Sequence, residues 1–270
     1  MGGRRRAMNS PTCPPDLIRF AARLADIAGR VARQHFRNSA LTVEAKPDLS
    51  PVTQADREIE QALRRELAAA HPGHGFVGEE FDPVNADADL VWVVDPIDGT
   101  KAFLAGKPTF GTLIALLREG EPLLGVIDHA ALGERWIGAA GHPTTHNGKP
   151  VRTRRCPALT AAVLYASSPE MFSGDERDRF ESLREQVRVN GWGTDCLAYG
   201  LLASGFVDLV AEASMGPHDF LPLVRVVEGA GGRITDWEGR PLTLAVGTKG
   251  RVLAAGDPAL HERALTRLAG

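Results

Sequence analysis

Cysteine is scarce in this chain, and the few cysteines have no recognisable spacing. Only three occur among 270 residues, Cys13, Cys156 and Cys196, an odd number without a C-x-x-C pattern. Disulfide scaffolds and structural zinc sites depend on several regularly spaced cysteines. The sequence therefore argues against both classes and favours a reducing compartment, which predicts a cytoplasmic protein.

Long hydrophobic runs and an excess of positive charge are also missing. The best apolar candidates, residues 90–94 and 112–117, are strand-sized, whereas a membrane helix needs about 18 apolar residues. The 31 basic side chains are outnumbered by 34 acidic ones, which gives a formal net charge of −3. A basic nucleic-acid groove is not expected from this balance. We therefore predict neither a membrane partner nor a nucleic-acid partner.

The hydrophobic content is high enough for one large domain. At 43% hydrophobic residues, a chain of this length can bury a sizeable core. The first 15 residues combine arginines with prolines and have no apolar stretch behind the charges, which argues against a signal peptide. We predict a flexible tail over residues 1–15 and a single domain over residues 16–270. A change of rhythm divides that domain into lobes of about 16–152 and 153–270.

Hydrophobic periodicity predicts a mixed α/β fold. Apolar residues on a 3.6-residue stripe predict a helix over residues 17–36, and a second helix is expected over 57–70. The run 90–94 predicts a buried strand that stops at Asp95, and turn signals predict an antiparallel meander over 110–151. The second lobe alternates instead, with predicted strands near 161–166, 207–211, 233–235 and 251–254 and predicted helices near 175–187, 196–203 and from 219.

The most informative segment is the eleven-residue string WVVDPIDGTKA. An apolar strand delivers two carboxylates, Asp95 and Asp98, to a tight turn, with the Ile97 carbonyl between them. Hard divalent cations such as Mg²⁺ prefer oxygen ligands of this kind. Gly99 permits a backbone conformation in which N–H groups face an anion, and Thr100 adds a hydroxyl. The string predicts a metal and phosphate site, although a local Asx turn would use the same residues.

This string and three others resemble the signatures of the inositol monophosphatase family of metal-dependent phosphomonoesterases. The family pattern W-V-[IVL]-D-P-[IL]-D-G-T matches residues 92–100 throughout. SPVTQAD at 50–56, GEE at 78–80 and HDFLPLVRVVEGAGG at 218–232 follow in the expected order. The resemblance spans most of residues 45–239. It implies a layered αβαβα sandwich and usually a homodimer.

Carried onto the matching positions, the resemblance implies a complete metal and water site. Thr100 and Asp56 would form the pair that positions and activates the attacking water, with Glu79 as a further catalytic group. Gly99 and Thr100 would offer backbone N–H groups to the phosphate. The implied cofactor is Mg²⁺, two or three ions per site, with Mn²⁺ as a substitute. The implied metal ligands are the side chains of Glu79, Asp95, Asp98 and Asp219 and the carbonyl of Ile97.

The residues that the resemblance adds also have purely structural explanations. Asp56 stands where it could cap the second predicted helix, and Asp219 stands at another predicted helix start. Glu79 and Glu80 would ordinarily form a solvated acidic pair in a loop. His218 departs from the family, in which Trp or Tyr precedes the metal-binding Asp. We expect His218 to pack beside the ligands rather than to bind metal.

Two further carboxylates, Asp195 and Glu212, are the predicted substrate-binding residues. They could hydrogen-bond a polyol or pair with a cationic amino-alcohol, and in the family the Glu212 position contacts the leaving-group side of the substrate. Asp195 could instead cap the helix expected from Cys196. The strings GVIDHAALGERWIG at 125–138 and GTDCLAYGLLASG at 193–205 resemble the histidinol-phosphatase branch. That branch hydrolyses histidinol phosphate to histidinol and phosphate in histidine biosynthesis.

Two other functions remain open at this point. One is an inositol-1-phosphate phosphatase, or a broader sugar or nucleotide phosphatase that includes the 3′-phosphoadenosine nucleotidases of the same superfamily. The other is a catalytically inactive family member with a regulatory role, for which lost ligands would be the mark, and no ligand is lost here. The expected partner of the enzyme is a small-molecule phosphate monoester.

Overall fold

The folded domain begins inside the predicted tail. A computed structural model describes residues 12–39, 42–45, 51–244 and 249–269, so residues 1–11 of the tail and Ser50 of the SPVTQAD string lie outside the described residues. Cys13 is fully buried, and its backbone N–H donates to the Ala140 carbonyl at 2.8 Å. Its own carbonyl oxygen lies 2.9 Å from Nε2 of His142. The predicted tail is therefore too long, because residues 12–15 pack on the domain.

The helices confirm the periodicity but include two that the sequence patterns did not predict, α3 and α7. The helices, in chain order, are α1 (Pro15–His35), α2 (Gln54–Ala70), α3 (Thr100–Leu104), α4 (Asp175–Arg184), α5 (Leu197–Ala203), α6 (Pro217–Gly229) and α7 (Pro258–Leu268). Helix α2 starts earlier than predicted because Thr53 is its N-cap, where the hydroxyl accepts from the N–H groups of Ala55 and Asp56. None of the described helices is both long and apolar enough to cross a membrane.

The strands form two main sheets and one short hairpin. The strands are β1 (Val43–Ala45), β2 (Pro51–Thr53), β3 (Gly75–Gly78), β4 (Leu90–Asp98), β5 (Gly111–Arg118), β6 (Glu121–His129), β7 (Glu134–Ala139), β8 (Thr145–His146), β9 (Lys149–Pro150), β10 (Val163–Ala166), β11 (Val189–Trp192), β12 (Leu209–Glu212), β13 (Arg233–Thr235) and β14 (Val252–Ala255). Strands β3 to β9 form a seven-stranded sheet in chain order, antiparallel from β4 onward, which confirms the predicted meander. The second sheet has the order β11-β10-β12-β14-β13.

Three hydrophobic clusters show how the layers stack. Helices α1 and α2 pack on one face of the large sheet through residues such as Leu24 and Leu63. Helices α5 and α6 fill the space between the two sheets, for example with Leu202 and Leu223. Helices α4 and α7 cover the outer face of the second sheet, where Phe180 is buried. This order of layers confirms the αβαβα sandwich.

Helix α6 lies unusually close to the large sheet, and two glycines make that approach possible. A Cβ added at Gly125 on β6 would stand 1.8 Å from the Pro222 carbonyl oxygen. One added at Gly138 on β7 would stand 2.1 Å from the Arg225 carbonyl oxygen. No larger residue fits at either position without moving the helix. The close packing holds α6, whose first turn carries Asp219, against the sheet.

Candidate active site

Strand β4 continues past its predicted stop and becomes irregular where it carries the acidic motif. Its pairing with β5 shifts between Asp95 and Asp98. In this segment Asp95 Oδ1 accepts a hydrogen bond from the Ile97 N–H at 2.9 Å, and the Thr112 hydroxyl donates to the Pro96 carbonyl at 2.8 Å. The local turn that the sequence offered as an alternative is therefore present. This turn holds the Asp95 and Asp98 carboxylates in place, so the turn and a metal site are compatible.

Three aspartates from two distant parts of the chain converge at the end of β4. Asp95, Asp98 and Asp219 each place one carboxylate oxygen within 4.8 Å of the other two. Backbone donors fix the other two as well as Asp95: Asp98 Oδ2 accepts from the Cys196 N–H at 2.8 Å, and Asp219 Oδ2 accepts from the Gly216 N–H at 2.6 Å. Asp219 is thus the third residue of α6 and not its N-cap. Three of the predicted side-chain ligands therefore lie together.

Glu79 and His218 stand at the edge of this cluster. Glu79 follows β3, and its Oε1 lies 4.0 Å from Nε2 of His218. The same nitrogen lies 3.5 Å from Oδ1 of Asp219. His218 therefore sits between two of the predicted ligands, as expected for a residue that packs beside them.

The electrostatics of the cluster suit a cation. Burial raises the pKa of Asp95 well above its usual range, and the charges of Glu79 and Asp219 add to this. Burial also raises the pKa of Asp98, reinforced by Asp195. No lysine or arginine of the described residues forms an ion pair with Asp95, Asp98 or Asp219. An all-oxygen donor set without a lysine or arginine partner fits a hard divalent ion such as Mg²⁺.

Asp56 and Thr100, the predicted water-activating pair, are not hydrogen-bonded to each other within the described residues. Asp56 Oδ2 accepts from the Thr53 N–H at 2.9 Å and from the Thr53 hydroxyl at 2.5 Å. The Thr100 hydroxyl donates to the Ile97 carbonyl at 3.1 Å. Asp56 therefore takes part in capping α2, as the sequence suggested. It does so as the third residue of the helix, whose carboxylate accepts from the N-cap residue Thr53. Burial raises the pKa of Asp56 to about 6, against the hydrogen bonds from Thr53.

The Asp195 side chain packs directly on Gly99 beside the cluster. Gly99 has φ +78°, and a Cβ added there would stand 2.8 Å from Cγ of Asp195. Asp195 is itself left-handed at φ +47°, and its Oδ2 accepts from the Thr109 hydroxyl at 3.2 Å. Its side chain does not cap α5, whose N-cap is Cys196 without a side-chain cap bond. The cap explanation for Asp195 is therefore wrong.

A cavity of about 470 Å³ opens next to these residues, and Glu212 lies behind its wall. The cavity is lined by Glu79, Gly99, Thr100, Lys107, Ser167 and Asp195, among others. Glu212 is buried, and its Oε1 accepts from the N–H and the hydroxyl of Ser167 at 2.8 and 2.5 Å. Its Oε2 accepts from the Tyr199 hydroxyl at 2.9 Å. Glu212 therefore reaches the cavity through Ser167, not directly as predicted.

Sequence reasoning missed Ser167, Lys107 and Thr109, which also shape the cavity. Lys107 Nζ donates to the Gly193 carbonyl at 3.0 Å, so the segment before β5 is tied to the segment before α5 at two points. Both contacts join residues 86 positions apart. No local spacing rule links such positions, and only the folded chain could reveal them.

Glu212 gives a pH-dependent prediction for stability. Burial raises its pKa to about 7, despite the hydrogen bonds from Ser167 and Tyr199, from an ordinary value of 4.5. As the pH rises, the Glu212 carboxyl loses its proton at a lower pH in the unfolded chain than in the folded protein. The contribution of Glu212 to the free energy of unfolding is therefore complete below about pH 4 and is lost as the pH rises through about 7. We expect the Tm of metal-free Glu212→Gln, relative to wild type, to rise between about pH 5 and pH 8 by calorimetry.

The matched control is Glu181→Gln, which removes a partly exposed carboxylate of α4 that pairs with Arg184. Its Tm difference from wild type is expected to stay constant over the same pH range. Parallel pH curves for Glu212→Gln and wild type would contradict the raised pKa of Glu212.

Carboxylates that converge beside a cavity of about 470 Å³ in a layered α/β fold define a metal-type hydrolase site. The inositol monophosphatase family model matches residues 15–269, and the chain belongs to this family. It is 49% identical over 263 residues to the "Bifunctional phosphatase IMPL2, chloroplastic" of Arabidopsis thaliana, covering 94% of this chain and 76% of that protein. It is 38% identical over 260 residues to a histidinol-phosphatase of Mycobacterium tuberculosis, covering 94% and 98%.

The fold agrees with that assignment. A solved structure of an inositol monophosphatase from Zymomonas mobilis superposes with a TM-score of 0.86 and 45% sequence identity. The match covers 94% of this chain and 98% of that one. The family resemblance predicted from the four strings is confirmed, and with it a hydrolase acting on phosphate monoesters.

Proposed function

We propose that this enzyme hydrolyses histidinol phosphate to histidinol and phosphate, a step of histidine biosynthesis. The observation that supports this choice of substrate is the position of Asp195. Its carboxylate lies in the cavity wall and packs on Gly99 beside the acidic cluster. A second carboxylate, Glu212, lies behind Ser167 of the same wall. Such a wall favours an alcohol that carries an ammonium group over a neutral polyol.

The relatives of this chain point to two candidate substrates, histidinol phosphate and inositol 1-phosphate. A histidinol-phosphatase is among them at 38% identity along nearly its whole length. The Zymomonas mobilis structure is described as an inositol monophosphatase, so inositol 1-phosphate is the second candidate. Asp195 is the feature that favours histidinol phosphate between the two.

We assign the metal to the converging oxygens. Glu79, Asp95, Asp98, Asp219 and the Ile97 carbonyl would hold two or three Mg²⁺ ions, with Mn²⁺ as a substitute. Bound ions of this kind neutralise phosphate charge and lower the pKa of a coordinated water. The absence of any paired lysine or arginine among the described residues around the three aspartates supports this assignment.

The chain's own residues then bind and orient the reactants. The N–H groups of Gly99 and Thr100, at the start of α3, have no partners inside the helix and would donate hydrogen bonds to the phosphate oxygens. Thr100 would accept a hydrogen bond from the attacking water, since its own proton goes to the Ile97 carbonyl. Asp56, with a pKa of about 6, is suited to hold the water's proton near neutral pH. Glu79 lines the same cavity as a further carboxylate.

A comparison of substrates tests the proposal, with phosphate release measured in Mg²⁺. We expect the highest kcat/KM for histidinol phosphate among histidinol phosphate, inositol 1-phosphate, fructose 1,6-bisphosphate and 3′,5′-bisphosphoadenosine. Asp195→Asn should lower kcat/KM for histidinol phosphate about tenfold, since a charge-assisted hydrogen bond is lost. The value for inositol 1-phosphate should change only about twofold.

Asp178→Asn, on the exposed side of α4, is the matched control and should leave kcat/KM unchanged for both substrates. Equal losses for both substrates in Asp195→Asn, or histidinol phosphate among the poorest of the four, would contradict the assignment. No release from any of them would favour the inactive regulatory homologue. The homodimer and the cytoplasmic location stay predictions, and light scattering of the purified protein tests the first.

A further inference from the structure

Three polar side chains share one side of α2, the helix next to the Glu79 loop. Asp56, Glu60 and Arg64 follow at intervals of four residues, which places them on one face of the helix. Glu60 is completely buried. Glutamate is almost never fully buried unless it is paired, so its partners show what it does.

Those partners are the main chain of the loop that carries Glu79. Glu60 Oε2 accepts from the Glu80 N–H at 2.8 Å. Glu60 Oε1 accepts from Arg64 Nε at 2.8 Å and lies 2.7 Å from Arg64 Nη2. Arg64 Nη2 also donates to the Phe81 carbonyl at 3.0 Å. Helix α2 thus holds the two residues after Glu79 by their backbone.

The loop lies directly on the Glu60 carboxylate on its other side as well. A Cβ added at Gly78 would stand 2.2 Å from Cδ of Glu60. Only a glycine lets the chain pass this close. The Arg64 guanidinium also stacks over the Phe76 ring, 4.6 Å from its centre, which fixes the strand that leads into the loop. Glu79 is therefore anchored from both neighbours in the sequence.

We propose that Glu60 and Arg64 are positioning residues that hold Glu79 in reach of the Asp95 and Asp219 carboxylates. The inference rests on the proposed function, in which Glu79 is a metal ligand. Partners that orient a ligand usually change metal affinity by about 10- to 100-fold when removed. A buried ion pair such as Glu60–Arg64 contributes little to stability by itself. Orientation of the loop is therefore the role that accounts for these contacts.

Calorimetric titration of the metal-free protein with Mg²⁺ tests this role. We expect Glu60→Gln to raise the Kd for Mg²⁺ about tenfold, since an NH₂ group replaces one of the two oxygens that accept separately from Glu80 and Arg64. Excess Mg²⁺ should restore most of kcat with little change in KM. Gly78→Ala, which displaces the loop from the opposite side, should raise the Kd in the same direction.

Two variants serve as matched controls. Glu58→Gln changes a glutamate of the same helix that contacts His35 and Gln54 instead of the loop. Gly73→Ala adds a methyl group where nothing lies within 4 Å. Both should keep the wild-type Kd for Mg²⁺.

An unchanged Kd in Glu60→Gln or in Gly78→Ala, with or without a lower Tm, would overturn the positioning role. Glu79→Gln in the same titration separates this from the proposed function. If Glu79→Gln leaves the Kd unchanged, the metal assignment itself fails. If Glu79→Gln weakens binding and Glu60→Gln does not, only the positioning inference fails.

Discussion

Replacing Asp95 by asparagine is expected to abolish phosphate release while the protein stays folded. Asp95 is 3% exposed and accepts the Ile97 N–H through Oδ1, a bond that the asparagine oxygen can keep. The shape of the β4 turn is therefore preserved, and the change removes one negative charge. Because a bound metal contributes several kcal/mol of charge stabilisation in the transition state, we expect kcat to fall at least about 10³-fold at saturating Mg²⁺.

Stability should move in the opposite direction, which distinguishes a lost ligand from a damaged fold. In the metal-free protein burial raises the pKa of Asp95, and the charges of Glu79, Asp219 and Asp98 raise it further, so Asp95→Asn should raise the Tm. Mg²⁺ should raise the Tm of wild type more than that of the variant, since binding stabilises only a competent site. Asp178→Asn, on an exposed helix face, should behave like wild type in both measurements.

Chelation offers the same test without a substitution. EDTA should stop phosphate release by the wild-type enzyme, and added Mg²⁺ should restore it. Activity that survives EDTA, or wild-type activity in Asp95→Asn, would contradict the metal assignment.

The acidic turn could be predicted from the sequence because its chemistry is local. Asp95 and Asp98 follow one strand at a fixed spacing, and the turn between them needs no other part of the chain. Asp219 was different. It reaches the cluster only because α6 packs directly on the sheet over Gly125 and Gly138. No periodicity shows that contact, so only the family pattern could connect Asp219 with the turn.

The features that the sequence did not predict depend on contacts between distant segments. Proline ordinarily ends a strand, yet β4 runs through Pro96 because the irregular segment still receives the Thr112 hydroxyl. A helix cap was the alternative to substrate binding for Asp195, which precedes α5, but the Thr109 hydroxyl holds Asp195 in the cavity wall. Glu212 looked like a direct substrate contact, but Ser167 stands in front of it. The first two expectations came from local patterns and the third came from the family pattern, and in each case a hydrogen bond from a distant residue decides the outcome.

Thr100→Ala is expected to lower kcat by about 10²-fold or more, with KM within about threefold of wild type. The Thr100 hydroxyl donates to the Ile97 carbonyl, which leaves its oxygen lone pairs to accept from the attacking water. Orientation of the water matters in the transition state more than in the bound ground state, so kcat should carry the effect. Thr100→Ser keeps the hydroxyl and should retain most of the activity. A loss confined to KM would limit Thr100 to substrate binding.

A double-mutant cycle decides whether Thr100 and Asp56 act together although no hydrogen bond joins them here. Strand β2, which ends at Thr53, contacts α3, which begins at Thr100, so Asp56 and Thr100 are linked through the Thr53 cap. If the two residues handle the same proton, Asp56→Asn combined with Thr100→Ala should cost little more than the worse single variant. Additive losses would mean that Asp56 serves the α2 cap while Thr100 orients the water alone.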